Sequence, residues 1–368
     1  MLIVSQLAYS QASDSIEVSL LTCAPGTKVY ALYGHTAIRY HDLRTGEDLT
    51  FNYGVFNFNR PFFSLRFLFG LTDYELGVCP YKYFAEEYRQ RGSQVTEQVI
   101  NMTSQEKAAI YHALAVNYKD ENKVYRYNCF YDNCTTRARD MIERNLDGKV
   151  KYINSEQEQS YRELLHQYTD KYPWAKFGVD LCLGFMADRR IGSREQQFLP
   201  DYMMIDAEKA QIMSDGSFRP LVKESRTAVV PGVQIVEQPF PLTPVECALI
   251  LLFLSLAIMG LELHRKKVSR IWDTLIMLIT GLAGLFILAL IFSQHPTTSS
   301  NLQFLLLNPL PLFFILRLWR KPQNRLYWKI STGLIILFFI GGALQNYAEG
   351  MNLVALSLLT RCVTHFKL

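Results

Sequence analysis

The sequence predicts an α+β domain joined to an all-α membrane block. Two observations carry this. Residues 1–244 have the mixed composition of a water-exposed domain in which strand-like and helix-like runs alternate. After Pro244 the chain turns to long apolar runs broken only by short loops. The net charge of +4 over 368 residues is small, and nucleic acid is not among the expected partners. Three segments are expected: residues 1–14 as a residual export signal or disordered N-terminus, residues 15–240 as the folded domain, and residues 241–368 as the membrane domain.

The start, MLIVSQLAYSQASDS, has a short apolar patch and small residues near Ala12 but lacks a basic leader and a full apolar core. Residues 28–58 read as a β-hairpin. YALYGHTAIRYH and DLTFNYGVFNF are rich in aromatic and β-branched residues and flank the turn LRTGE with Gly46. RPFFSLRFLFG is too short to cross a bilayer and carries two arginines, which marks an amphipathic or buried segment. YELGVCPYKYF is strand-like at its start, YFAEEYRQRGSQ a polar helix, and QVTEQVINM a strand. SQEKAAIYHALAVNYK is a helix with Thr103 or Ser104 as cap and Glu106 in its first turn. Another helix covers about 134–147 and stops at Asp147-Gly148. Helices are expected near 156–168 and 202–213, and PGVQIVEQPFPLTP leads, extended and proline-rich, into the membrane block.

In that block four apolar runs, about 245–263, 272–292, 302–319 and 328–345, approach the length needed to cross ~30 Å of hydrocarbon. A fifth, about 348–365, is weaker because it ends in Arg361, Cys362 and His365. LILLFLSLAIMGL (249–261) shows no polar face, unlike a core helix of a water-soluble protein. HRKKVSR (264–270) carries four Lys/Arg and RLWRKPQNRLYWK (317–329) five, whereas 293–303 and 345–352 carry none. The positive-inside rule places the basic loops in the cytoplasm. The N-terminal domain and the loops holding His295 and Glu349 are then outside.

The chemistry concentrates in NCFYDNCTTRARDMIE (128–143). Ala138, Met141, Ile142 and Leu146 recur at helical spacing, and Asp132 or Asn133 can cap the helix. Cys134 then opens it, where backbone N–H groups and the helix dipole favour an anion. That position enriches the thiolate, the nucleophilic form of cysteine. N–H groups of the same turn are also placed to hold an oxyanion. Three readings compete for Cys134: a nucleophile, a disulfide with Cys129, or an inert buried thiol. The N-terminal part holds five cysteines, Cys23, Cys79, Cys129, Cys134 and Cys182, and outside the cytoplasm thiols tend to pair. Metal is not expected: there is no CxxC or HxxxH spacing.

A thiolate nucleophile needs a base. His112 and His166 lie on expected helices, where a surface position is the default. His35 follows Gly34 and begins a strand, and glycine leaves room for a ligand. A helix-opening cysteine facing a strand-borne histidine is the working pair of papain-like enzymes. Asn52 is the candidate for orienting the imidazole, with Tyr53, Asn57 and His41 as alternatives because the register is open. Further candidates for substrate contact are Tyr53, Tyr131 beside the helix start, Arg137 for a phosphate, and His295 and Asn301 in an outer loop. Asn301 has a competing role as a helix cap. Tyr125, Tyr127 and Phe130 read as core or as the lining of an acyl groove.

Taken together, ALYGHTAIRY…TFNYGVFNF, YNCFYDNCTTRARD and the C-terminal membrane block resemble the Lnb family. Its members are lipoprotein N-acyltransferases with an extracytoplasmic N-terminal domain and a small bundle of membrane helices. The His-before-Cys order also resembles the circularly permuted papain-like group. The resemblance implies a multi-pass protein of the bacterial inner membrane with its N-terminal domain in the periplasm. It implies that Cys134 takes an acyl chain from a membrane phospholipid, and that the α-amine of a diacylglyceryl-cysteine lipoprotein then accepts it. His35 would serve as base, and no cofactor is implied. Two other classes remain: a membrane-tethered cysteine hydrolase of cell-wall or protein amide bonds, and a non-enzymatic membrane-tethered binding module.

Overall fold

The computed structural model describes residues 15–56, 61–153, 158–214, 216–236, 240–320 and 325–368. The expected N-terminal leader and Asn57 lie outside the described residues. The chain divides into two compact units: residues 1–159 with 191–237, and residues 160–190 with 238–368.

The first unit is built on a seven-stranded sheet. Its strands are β1 (Ile16–Cys23), β2 (His35–Asp42), β3 (Glu47–Val55), β4 (Asp73–Pro80), β5 (Val95–Ile100) and β6 (Val124–Arg126), with Val222–Val229 at one edge. The order is Val222–Val229, β5, β1, β2, β3, β4, β6, and every neighbouring pair is antiparallel. The predicted hairpin is β2–β3, turning at Gly46 with φ 76°. β1 and β2 are central and carry apolar residues toward both faces. Val18, Leu20, Ile38 and Tyr40 pack on one side with Ile110 and Leu114 of helix Ser104–Asn117, Ala138 and Ile142 of helix Cys134–Arg144, and Met203 and Ala207 of helix Pro200–Lys209. Leu21, Cys23 and Ala37 pack on the other with Phe84, Ala85 and Tyr88 of helix Tyr81–Gln90. Each large side chain so buried stabilises by roughly 1.5–3 kcal/mol. The helix Ser104–Asn117 starts at a reciprocal cap between Thr103 and Glu106, as its sequence predicts.

The ladder geometry makes an opening in the sheet. β2 stays paired with β1 through Cys23–His35, and β3 with β4 through Asn52–Gly77. Between them the β2–β3 ladder ends at Ile38–Phe51. The β3–β4 register also shifts between Asn52 and Val55. Such a bulge re-aims neighbouring side chains. Helix Cys134–Arg144 packs against both β2 and β3.

The second unit holds helices Pro244–Arg265, Arg270–Ile291, Leu310–Arg320, Leu326–Gly341 and Met351–Lys367, together with Tyr161–Thr169 and Pro173–Cys182. Helices thus form at all five apolar runs. Three segments, Pro244–Arg265, Arg270–Ile291 and Leu302–Arg320, are long and apolar enough to cross a membrane, and Leu326–Gly341 is apolar but shorter. Arg361, which weakens the fifth run in sequence, is fully buried. It donates to Glu262 at 2.6 and 3.0 Å and to Asp273 at 2.7 Å, and Asp273 also meets His365 at 2.8 Å. Isolated charges at such depth are costly, and mutual pairing is what makes them tolerable.

Two glycine substitutions separate backbone strain from collision. Gly46→Ala puts a side chain into open space at positive φ, which costs about 1–2 kcal/mol. In Gly34→Ala the new carbon also meets the Cys23 carbonyl oxygen at 2.6 Å. Fluorescence melting of the detergent-purified chain is expected to show a loss of about 2–4 °C for Gly46→Ala. Gly34→Ala is expected to lose at least twice as much.

Candidate active site

The site begins with a cap. Asn133, 5 % exposed, accepts from the N–H groups of Thr135 and Thr136 at 2.9 and 3.0 Å. Its amide donates to the Cys129 and Phe198 carbonyls, both at 2.9 Å. Of the two cap candidates, Asn133 therefore fills the role. Asp132 instead holds Arg137 through two bonds of 2.6 and 2.7 Å. The preceding turn is closed by Asn128, whose side chain accepts from Phe130 and Tyr131 N–H, both at 3.1 Å. Cys134 is consequently the first residue of its helix, half-buried at the opening between β2 and β3.

His35 and Asn52 meet there. His35 Nε2 donates to Asn52 Oδ1 at 2.5 Å, because an amide oxygen can only accept. That leaves Nδ1 for the thiol, and His35 and Cys134 lie close enough for each to shift the other's titration. Burial pushes the Cys134 thiol up, but the His35 imidazole, the Thr36 backbone N–H and the Thr135 hydroxyl pull it down to about 7. Burial alone would depress the His35 pKa. The Cys134 charge and the bonds to Cys134 and Asn52 outweigh it, so that pKa is raised. Opposite shifts on the two partners favour the thiolate–imidazolium pair.

Gly54 completes the site. Its φ is 94°, and a side-chain carbon there would sit 3.9 Å from Cys134 Cβ and 4.0 Å from His35 Cε1. The bulge that includes it lets β3 approach the reacting pair. Sequence reasoning passed over this residue, although a glycine inside a strand is a signal of close approach. Of the N–H groups in this first turn, those of Thr135 and Thr136 are committed to Asn133, and Thr36 N–H from β2 adds a donor beside the sulfur. Thr36 and Thr135 are tied by a 3.0 Å hydroxyl contact.

The remaining candidates fall in several places. Tyr53, next to Asn52, faces the opposite way: it is 1 % exposed, and its hydroxyl donates to Asn117 at 2.6 Å. His41 lies near the far end of β2, 3.5 Å from Arg39. Tyr131 is exposed beside the helix start. Arg137 pairs with Asp132 and lies 3.5 Å over the Tyr125 ring. His295 and Asn301 belong to the second unit. The Asn301 amide donates to the Leu181 carbonyl at 2.8 Å and accepts from Gln345 at 3.1 Å, and it caps a short turn through Gln303 N–H. It thereby helps satisfy the carbonyl end of helix Pro173–Cys182. All seven cysteines are free. Among the described residues no group of His, Cys, Asp and Glu is arranged to hold a metal ion.

A sheet-rich domain with an activated cysteine, on a chain that also carries helices of membrane-crossing length, defines a membrane-attached protein with a thiol site. Residues 6–167 match the family model described as the Lnb N-terminal periplasmic domain, and residues 235–368 match the one described as the Lnb transmembrane domain. The chain belongs to the Lnb family. No curated protein and no solved structure matches it.

Alkylation of Cys134 by iodoacetamide, followed by mass spectrometry across pH, tests the electrostatics. The rate is expected to rise with pH and reach half its maximum at about 7, because the thiolate forms as pH passes the folded pKa. His35→Ala removes the largest effect that opposes burial and moves the midpoint up toward the ordinary thiol value of ~8.5 or beyond. Asn52→Ala gives a smaller upward shift. Coincident profiles for wild type and His35→Ala would refute the pairing.

Proposed function

We propose that this chain is a lipoprotein N-acyltransferase of the bacterial inner membrane. In this reading the cysteine–histidine–asparagine group works in a circularly permuted papain-like manner. The observation that carries the reading is a thiol held at a helix start with its pKa lowered to about 7, on a periplasmic domain that shares its chain with a transmembrane domain. A hydrolase acting on soluble substrates has no need of that attachment, whereas both substrates here are lipids.

The chemistry balances in two half-reactions. The Cys134 thiolate attacks an ester carbonyl of a phospholipid, forming the C–S bond. The C–O bond breaks, and the His35 imidazolium gives its proton to the departing lysophospholipid hydroxyl. The α-amine of a diacylglyceryl-cysteine lipoprotein then attacks the thioester. The C–N bond forms, the C–S bond breaks, the thiolate is restored, and the amine proton passes to His35. Asn52 holds the imidazole plane through both steps. Thr36 N–H, beside the sulfur, and the N–H groups of the helix start are the backbone donors for the tetrahedral oxyanion. Tyr131 and Arg137 flank the helix start as substrate contacts. No cofactor enters either half-reaction.

Mass spectrometry of lipoprotein N-termini tests this in a host that lacks N-acylation. Wild type is expected to add one acyl chain to the α-amine, and Cys134→Ser to abolish it. His35→Ala is expected to reduce it by roughly 10²–10⁴-fold, the usual worth of a general base. A wild-type gene that leaves the N-termini unchanged would sink the acyltransferase reading. Unchanged acylation in Cys134→Ser would sink the mechanism.

A further inference from the structure

The short helix Phe63–Leu68 buries none of its residues. Phe62 before it is 78 % exposed, Leu65 and Phe67 within it 54 % and 51 %, and Leu71 after it is also exposed. Scattered apolar residues are normal on a protein surface, but so close a group is a patch that marks a binding surface. Phe62 also holds a left-handed backbone, φ 57°, which a bulky residue rarely adopts. Its ring is directed outward at that backbone cost. The positive charge within the patch, Arg66, pairs with Asp73 at 3.2 Å.

The patch is continuous with the thiol site. Phe67 stacks with Phe63 at 6.1 Å and Phe63 with Phe56 at 6.0 Å. Phe56 meets Tyr74 at 4.9 Å, and Tyr74 stacks with Tyr127 at 4.3 Å. Phe56 follows Gly54 by two residues, and Phe56, Tyr127 and Cys134 pack against one core. An unbroken aromatic strip thus joins the exposed helix to the neighbourhood of the nucleophile.

We propose that the segment from Phe62 to Leu71 is a membrane-inserting element whose partner is the surface of a lipid bilayer, and that the aromatic strip guides an acyl chain from that surface toward Cys134. Lipid fits better than a protein partner for three reasons. The same chain carries a transmembrane domain, so a bilayer is always within reach of the tether. Phenylalanine and leucine around a single arginine match the composition of an interfacial helix. The strip leads inward to a half-buried thiol, a route suited to a flexible apolar chain. The insertion stands by itself; the guidance rests on the acyltransferase reading.

The test uses the full chain in vesicles of phosphatidylethanolamine and phosphatidylglycerol. Leu65, Phe67 or, as control, the exposed Glu86 is replaced by the photoreactive p-benzoylphenylalanine. After irradiation, lipid adducts at 65 and 67 are expected to exceed those at 86 by roughly tenfold, the ratio expected for a modest difference in lipid contact. Equal lipid labelling at all three positions, or adducts to protein alone, would overturn the insertion. A Leu65→Asp, Phe67→Asp double variant is then assayed for acyl thioester on Cys134, with iodoacetamide alkylation in detergent as the check that the site is folded. Roughly tenfold less thioester with alkylation intact supports guidance, and wild-type thioester levels overturn it. Lipid adducts without thioester even in the unsubstituted chain would count against the acyltransferase reading and leave the insertion standing.

Discussion

The amide of Asn133 takes two hydrogen bonds from the first turn of its helix and gives two to carbonyls of other segments. All four are made at a nearly closed position, where each unmade bond would cost about 1–3 kcal/mol. That arrangement fixes the helix start, the 128–132 turn and the Phe198 segment with respect to one another. Cys134 is the next residue, so its sulfur has little freedom of position. What remains is a balance of electrostatics. Burial opposes the thiolate, and the His35 imidazole and the Thr36 N–H favour it by more. The balance exists only where the β2–β3 ladder stops and a bulge brings Gly54 alongside.

Much of this is legible in the sequence because its signals are local. An asparagine before a helix-periodic run marks a cap, and a glycine before a strand histidine marks an unusual backbone. Both Cys134 and His35 follow from such short-range rules. Asn52 is harder, because a slip of one residue exchanges the two faces of a strand. Asn52 is the first candidate and Tyr53 an alternative until the register is known, and then Asn52 bonds His35 while Tyr53 enters the core. The end of the β2–β3 ladder and the bulge are long-range properties with no signature in the hairpin sequence beyond Gly54 itself. Tertiary contacts also bear on Asn301, for which the sequence offers both a head-group contact and a helix cap. The cap role is the one its contacts fill, with carbonyls of a helix more than a hundred residues earlier in the chain.

The membrane block shows the same division. Apolar runs locate its helices, since length and hydropathy are intrinsic to a segment. They cannot show that Arg361, read along the chain as a reason to doubt the last helix, is the donor that joins Glu262 and Asp273. A charge that looks like an interruption in one dimension is a cross-link in three. The second unit also gathers residues 160–190, a grouping that no composition shift announces.

The free cysteines have a consequence for life in the periplasm. Burial raises the thiol pKa of Cys23, Cys79, Cys129 and Cys182, with Cys129 pushed up to about 12 and Cys182 to about 11. Of the five cysteines in the N-terminal part, Cys134 alone is lowered. Thiol oxidants act on thiolates, so in the folded domain four of these residues react slowly compared with Cys134. The folded domain is held together without a disulfide among these five residues. Among its thiols, reactivity toward peroxide is then concentrated on one sulfur: oxidative stress would silence the nucleophile before it reached the buried cysteines.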